Sequence, residues 1–123
     1  ATHASTFEVT TDDYLTPAGD CILAVAADRA PADFADEFVA ACRDPDTDIT
    51  ATIEAGGHRE RVRGRGHPDL TFDSERSAVC RTSDYVDDRT VMVDAERAAA
   101  GLDRDLVAAL ADGAVCEFTV SVV

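Results

Sequence analysis

The sequence predicts a mainly β protein of the α+β class. The expected form is a closed β-barrel or barrel-like sandwich, made of two strand–strand–helix–strand repeats with pseudo-twofold symmetry and two short helices. Three observations carry this. Alternating apolar and polar residues mark strands, two short stretches of helical spacing interrupt them, and the order of elements recurs in the second half. At 123 residues the chain holds apolar side chains for one modest core, so a single domain is expected over 1–123.

The recurrence appears when Val9–Thr16 is set against Cys80–Asp87 and Asp20–Pro45 against Asp88–Gly113. Identical pairs include Thr11/Thr82, Asp13/Asp84, Tyr14/Tyr85, Asp20/Asp88, Val25/Val93, Arg29/Arg97 and Val39/Val107. Of 34 pairs 13 are identical, against three or four expected by chance, so the halves read as copies, about 1–55 and 70–123. An Arg-rich hairpin, 56–69, is inserted between them.

Each element follows from its residues. Phe7 and Val9 alternate in a first strand near Ser5–Thr11, and its mate is Ser77–Thr82. Uninterrupted apolar runs, Cys21–Ala27 and Thr90–Val93, read as buried second strands. Pro31 suits the first turn of a helix whose stripe is Phe34, Phe38, Val39 and Cys42. In the second copy Asp103 can cap, Leu106, Val107 and Leu110 form the stripe, and Gly113 ends the helix. Closing strands carry Ile49, Ala51 and Ile53, and Cys116, Phe118, Val120 and Val122. Gly56-Gly57 makes a two-residue hairpin turn, because both positions tolerate positive φ. One such unit leaves open sheet edges, and pairing two units is expected to seal them.

Eleven Arg, no Lys and 25 acidic residues give a net charge of −14, which disfavours nucleic acid and anionic membranes as partners. The even spread of Asp reads as a surface tuned for high salt, where repulsion is screened. No apolar run approaches a membrane span and no leader pattern opens the chain, so a cytoplasmic protein is expected. Cys21, Cys42, Cys80 and Cys116 form no CxxC pair and read as small apolar residues rather than metal ligands.

Candidate chemistry concentrates in and after the hairpin. Arg59, Arg61, Arg63 and Arg65 alternate and therefore share one strand face, with Glu60, Val62 and Gly64 on the other. Such a row suits bidentate binding of phosphate or carboxylate, or else pairs with neighbouring acids on a solvated face. Gly66-His67-Pro68 holds an imidazole in a definite pose, and a carboxylate nearby would make it an acid or base. The acid–base candidates are His67, His3, Asp20 and Asp84, and the ligand-binding candidates are Arg63, Arg65, His67, Arg81 and Arg89. No metal set is expected, no nucleotide-binding Gly pattern occurs, and no cofactor is indicated.

Ala1-Thr2-His3, Leu15-Thr16-Pro17-Ala18-Gly19-Asp20-Cys21-Ile22, Gly66-His67-Pro68, Arg81-Thr82-Ser83-Asp84-Tyr85 and Asp88-Arg89-Thr90 together resemble the archaeal domain-of-unknown-function family 371. The resemblance spans nearly the whole chain and implies a small, mostly β archaeal protein, here with a haloarchaeal composition. Where the family tends to carry a second His after the later Gly-His-Pro, this chain has Ser74, the repeat partner of His3, so any two-His site is asymmetric. The expectation that follows is a domain binding a small anionic ligand, a nucleotide or phosphorylated metabolite. The alternatives are a His/Asp acid–base enzyme acting on such a ligand and, third, an RNA-associated protein.

Overall fold

In the computed structural model, which describes residues 3–13 and 21–122, seven strands and two helices form a mainly β, α+β architecture. The strands are β1 (Thr6–Thr10), β2 (Ile22–Ala24), β3 (Asp48–Ala55), β4 (His58–Arg65), β5 (Ser77–Arg81), β6 (Thr90–Met92) and β7 (Glu117–Val122), and the helices are α1 (Asp36–Cys42) and α2 (Arg104–Ala111). Alternation sets the faces: Ile49, Ala51, Ile53 and Ala55 of β3 are buried, while Thr50, Thr52 and Glu54 between them are half-buried. Gly56 and Gly57 turn β3 into β4 with φ of 57° and 83°, the left-handed pair a two-residue hairpin requires.

Two sheets result. In the four-stranded sheet, order β2-β1-β5-β6, antiparallel β1 and β5 lie at the centre with β2 and β6 parallel to them on the outside. The three-stranded sheet, order β4-β3-β7, is antiparallel throughout. The core joins Phe7 and Cys80 of the first sheet to Ile49, Ala51, Ile53 and Val62 of the second, and Phe7 meets Phe118 edge-on at 6.5 Å between ring centres. Leu106 of α2 and Cys42 of α1 are both buried in this core. The side chain of Asp103 accepts a hydrogen bond from Asp105 N, which caps α2.

Hydrogen bonds in the run β1-β2-α1-β3 have counterparts in the run β5-β6-α2-β7. Glu8 N donates to Cys21 O and Val79 N to Arg89 O; Thr11 N donates to Arg76 O and Thr82 N to Ser5 O. Ala26 N donates to Asp12 O and Asp94 N to Ser83 O, and both residues are left-handed, with φ of 56° and 50°. Ala32 N donates to Ser74 O and Ala100 N to His3 O. The parallel registers slip at Glu8/Val9 and at Val79/Cys80.

The sheets do not close into a barrel. On one side β4 reaches the residue after β6, where Arg65 N donates to Val93 O and Val93 N to Arg65 O. On the other side no ladder among the described residues joins β2 to β7. The apolar run Cys21–Ala27 supplies only a three-residue strand, as Thr90–Met92 does in the other half, and each is followed by a left-handed residue, Ala26 or Asp94. The difference is that β4 lies beside β3 while no described strand takes the equivalent place beside β7. A second departure is Pro31, which opens a separate 3-10 turn (Pro31–Asp33), so that α1 starts only at Asp36.

Candidate functional site

The Gly-His-Pro segment is built by close backbone packing. Gly66 N donates to Thr47 O at 3.0 Å and His67 N to Cys42 O at 3.0 Å, which ties the end of β4 to the C-terminus of α1. A Cβ on Gly66 would lie 2.2 Å from Cys42 O and 2.4 Å from Asp44 O, so only glycine permits the approach. His67 Nδ1 then accepts from Asp69 N at 3.0 Å, which in a neutral ring leaves the proton on Nε2.

His67, 27% exposed, lines an open groove of about 520 Å³ with Asp69, Asp84, Tyr85, Asp87 and Asp88. His67 and Asp84, both acid–base candidates from the sequence, are thus brought to one place. Beneath them Asp87 organises a polar network: its carboxylate accepts from Thr90 Oγ1, Arg89 N, Arg81 Nη2 and Arg89 Nη2 at 2.9–3.1 Å. Burial pushes the Asp87 carboxyl up, but the bonds from Thr90 and Arg89 and the charge of Arg81 outweigh it and hold the pKa at about 2. Arg81 also lies over the Tyr85 ring at 4.8 Å, and Arg89 approaches Glu8 at 3.9 Å. Both guanidinium groups are therefore already neutralised, and the groove above them is lined by carboxylates rather than by free cations.

His3, Arg63 and Arg65 do not line this groove. His3 sits before β1, where Nδ1 accepts from Ser5 N and Thr6 N, and Ser74 Oγ accepts from Arg76 N and Ser77 N in the same way before β5. Both side chains serve as turn acceptors. Asp20 lies outside the described residues. Arg63 and Arg65 project with Arg59 and Arg61 from the exposed face of β4, while Val62 and Gly64 are buried. Among the described residues no group of three or more His, Cys, Asp or Glu side chains is arranged to hold a metal ion.

Eight of the eleven Arg side chains have partners. They are carboxylates for Arg59, Arg76, Arg81, Arg89 and Arg97, and carbonyl oxygens for Arg29, Arg43 and Arg104. Arg61, Arg63 and Arg65 are exposed and make no side-chain hydrogen bond or ion pair among the described residues. Across β3 and β7 two of them face hydroxyls: Arg61 pairs with Thr52 and then Thr119, and Arg63 with Thr50 and then Ser121. Arg61 belongs to the Arg row expected from the sequence but not to its ligand-binding candidates, and Thr50 and Thr52 were not among them either, although the same strand alternation applies to all three. The sequence reading passed over Asp87, whose Asp-x-x-Thr spacing is the signal for a carboxylate bonded to its own turn.

An α+β protein of two unclosed sheets, with a cationic strand face and a His-bearing acidic groove, is the class these observations define. The chain belongs to the family described as domain of unknown function DUF371, whose model matches residues 1–123. It is also similar to an uncharacterised protein of Methanocaldococcus jannaschii, 38% identical over 113 residues, which cover 92% of this chain and 83% of that protein. No helix among the described residues is long and apolar enough to cross a membrane.

Proposed function

We propose that the chain is a binding domain for a small phosphate-bearing anion, held on the exposed face of the three-stranded sheet by Arg61, Arg63 and Arg65. The observation that carries this is the set of three unpaired guanidinium groups in a protein of net charge −14. Carboxylates are abundant enough to neutralise every Arg, and eight are occupied by acids or carbonyls, yet these three are not. Alternate residues of a strand lie about 7 Å apart, a spacing that suits a ligand with two or more phosphate groups. Thr50 and Thr52 offer hydroxyls beside the cations. In this reading the two halves of the chain are copies related by a quasi-twofold axis, the β4 hairpin is the functional insertion, and the molecule works in a salty cytoplasm.

Titration with inorganic tripolyphosphate tests it. Amide resonances of Arg61, Arg63, Arg65, Thr50 and Thr52 should shift together, and Arg63→Gln or Arg65→Gln should each weaken binding about three- to tenfold, on the order of 1 kcal/mol. An absent response would remove the reading. A response centred on His67 and Asp84 would instead favour the second reading, an acid–base enzyme, which is supported by those side chains lining one groove. There His67→Ala should abolish turnover and spare affinity. The third reading, association with RNA, requires affinity that falls steeply with salt, and the net charge opposes it.

A further inference from the structure

The unclosed side of the molecule carries a groove of about 730 Å³ between the β2 edge and β7, lined by Leu23, Val25, Phe34, Phe38, Phe118 and Val120 among others. We infer that this groove is a docking site for an extended segment of another protein, which adds as a strand beside β7. The segment is patterned Glu-x-Val-x-Gly, with the Glu and Val side chains facing inward.

The argument comes from the other side of the molecule, where β4 fills the corresponding place. There Val93 N and O bond to Arg65, Glu96 N donates to Arg63 O, and Arg97 pairs with Glu60 at 2.9 Å. The counterparts of Val93, Glu96 and Arg97 are Val25, Asp28 and Arg29, and all three line the open groove. The backbone of Val25 and the N–H of Asp28 make no hydrogen bond among the described residues, and Val25 is an exposed large apolar residue at 36%. Among the described residues Arg29 has only a carbonyl, Asp33 O, and the face of the Phe34 ring, where Arg97 has the Glu60 carboxylate. An unpaired strand edge, an apolar floor and a cation without its acid are what a strand of β4's type would complete.

The floor also selects. A Cβ on Gly64 would lie 2.3 Å from Met92 Cγ and 2.7 Å from the backbone oxygen Val93 O, so β4 must carry glycine there. Met92 corresponds to Ala24, which lines the groove and is several atoms smaller. Ala24 relieves the contact made by Met92 but not the one with the backbone oxygen, because Val25 O is the counterpart of Val93 O. An occupant in the same register therefore also carries glycine there, two residues after an apolar residue equivalent to Val62 and four after an acid equivalent to Glu60. Charge complementarity between that acid and Arg29 commits the groove to a peptide rather than to a neutral apolar molecule. A second copy offers no free strand of β4's type, because its own β4 is paired with β3 and bonded to Val93.

The probe is the β4 peptide itself, His58–Pro68, together with its Gly64→Leu form and a scrambled peptide of the same composition as the parent. Each is added in trans to the full chain and followed by amide NMR. The parent peptide should bind at least tenfold more tightly than the Gly64→Leu form, protect the Val25 and Asp28 amides from exchange, and outcompete the scrambled control. Arg29→Ala and Val25→Asp, both at exposed positions, should leave the melting temperature within a few degrees and weaken that peptide at least fivefold. Removing Arg29 makes the protein more negative, so mere attraction of an Arg-rich peptide would strengthen rather than weaken. Equal binding of the scrambled peptide, indifference to both variants, occupation by an apolar fluorophore alone, or self-association through β7 would each overturn the inference.

Discussion

Asp87 is the residue on which most of the polar structure around β5 and β6 depends, since two guanidinium groups, a hydroxyl and a backbone amide converge on one carboxylate. Its pKa of about 2 in the folded chain, against 3.8 ordinarily, makes it a pH-dependent source of stability. A depressed carboxyl contributes fully above its unfolded value and loses the contribution as pH falls from about 4 towards 2. Acidification also discharges a chain of net charge −14, which relieves repulsion and can mask the loss. The difference between wild type and Asp87→Asn isolates it. In urea denaturation the variant should be less stable by on the order of 1–2 kcal/mol at pH 6, with solvent screening of the part-exposed pair already allowed for. The gap should narrow towards zero near pH 2. A gap that is constant with pH would mean that the carboxylate charge contributes nothing beyond the shape of the loop.

At the scale of elements, the junction between β4 and α1 shows both what the sequence discloses and where it stops. Period-two alternation gave the faces of β3, β4 and β7, and glycine chemistry gave the Gly56-Gly57 turn, because both are local rules that the chain obeys wherever it is placed. That Gly66 allows a close backbone approach was readable in the same way. Which backbone it approaches was not, since Cys42 O lies 24 residues away in sequence and only packing brings it near. For the Arg row the turn carries more: a two-residue turn at Gly56-Gly57 sets Ala55 opposite His58 and therefore Thr52 opposite Arg61 and Thr50 opposite Arg63, whereas nothing local says that β7 adds Thr119 and Ser121 beyond them. The break at Ala26 was hidden because alanine carries no left-handed signature, unlike the glycines of the hairpin. The junction can be tested directly. Gly66→Ala would force a methyl against two carbonyl oxygens, one helix terminus must shift, and stability should fall by about 2–3 kcal/mol or more, read from the urea midpoint. The amide of His67 should lose its exchange protection at the same time. A neutral substitution would show that β4 and α1 are not mechanically joined.

For the whole molecule the governing quantity is the imbalance of charge. The Arg–carboxylate pairs are mostly exposed or half-exposed, as Arg59–Glu54 and Arg76–Asp12 illustrate, and each contributes well under about 1 kcal/mol. Salt weakens those pairs, so a molecule held together by them would be destabilised as ionic strength rises. The opposing effect is repulsion among 25 acidic groups with only eleven cations to offset them, a long-range term that is lost over a Debye length of about 3 Å at 1 M but persists over about 10 Å at 0.1 M. A few weak pairs cannot outweigh an excess of fourteen like charges on so small a surface, so screening should stabilise the fold. Raising KCl from 0.1 to 2 M is expected to lift the melting temperature by about 10 °C, corresponding to roughly 2 kcal/mol for a domain of this size. Potassium chloride is the informative salt because sulfate would also strengthen apolar burial through exclusion from the surface. The same titration on the triple variant Arg61→Gln, Arg63→Gln, Arg65→Gln should start from a lower melting temperature at 0.1 M, since the net charge becomes more negative, and converge with wild type at 2 M. If the two curves instead stay parallel, or wild type melts earlier as salt rises, repulsion is not what limits the stability of this chain, and the excess of carboxylates must act locally rather than through the field of the whole protein.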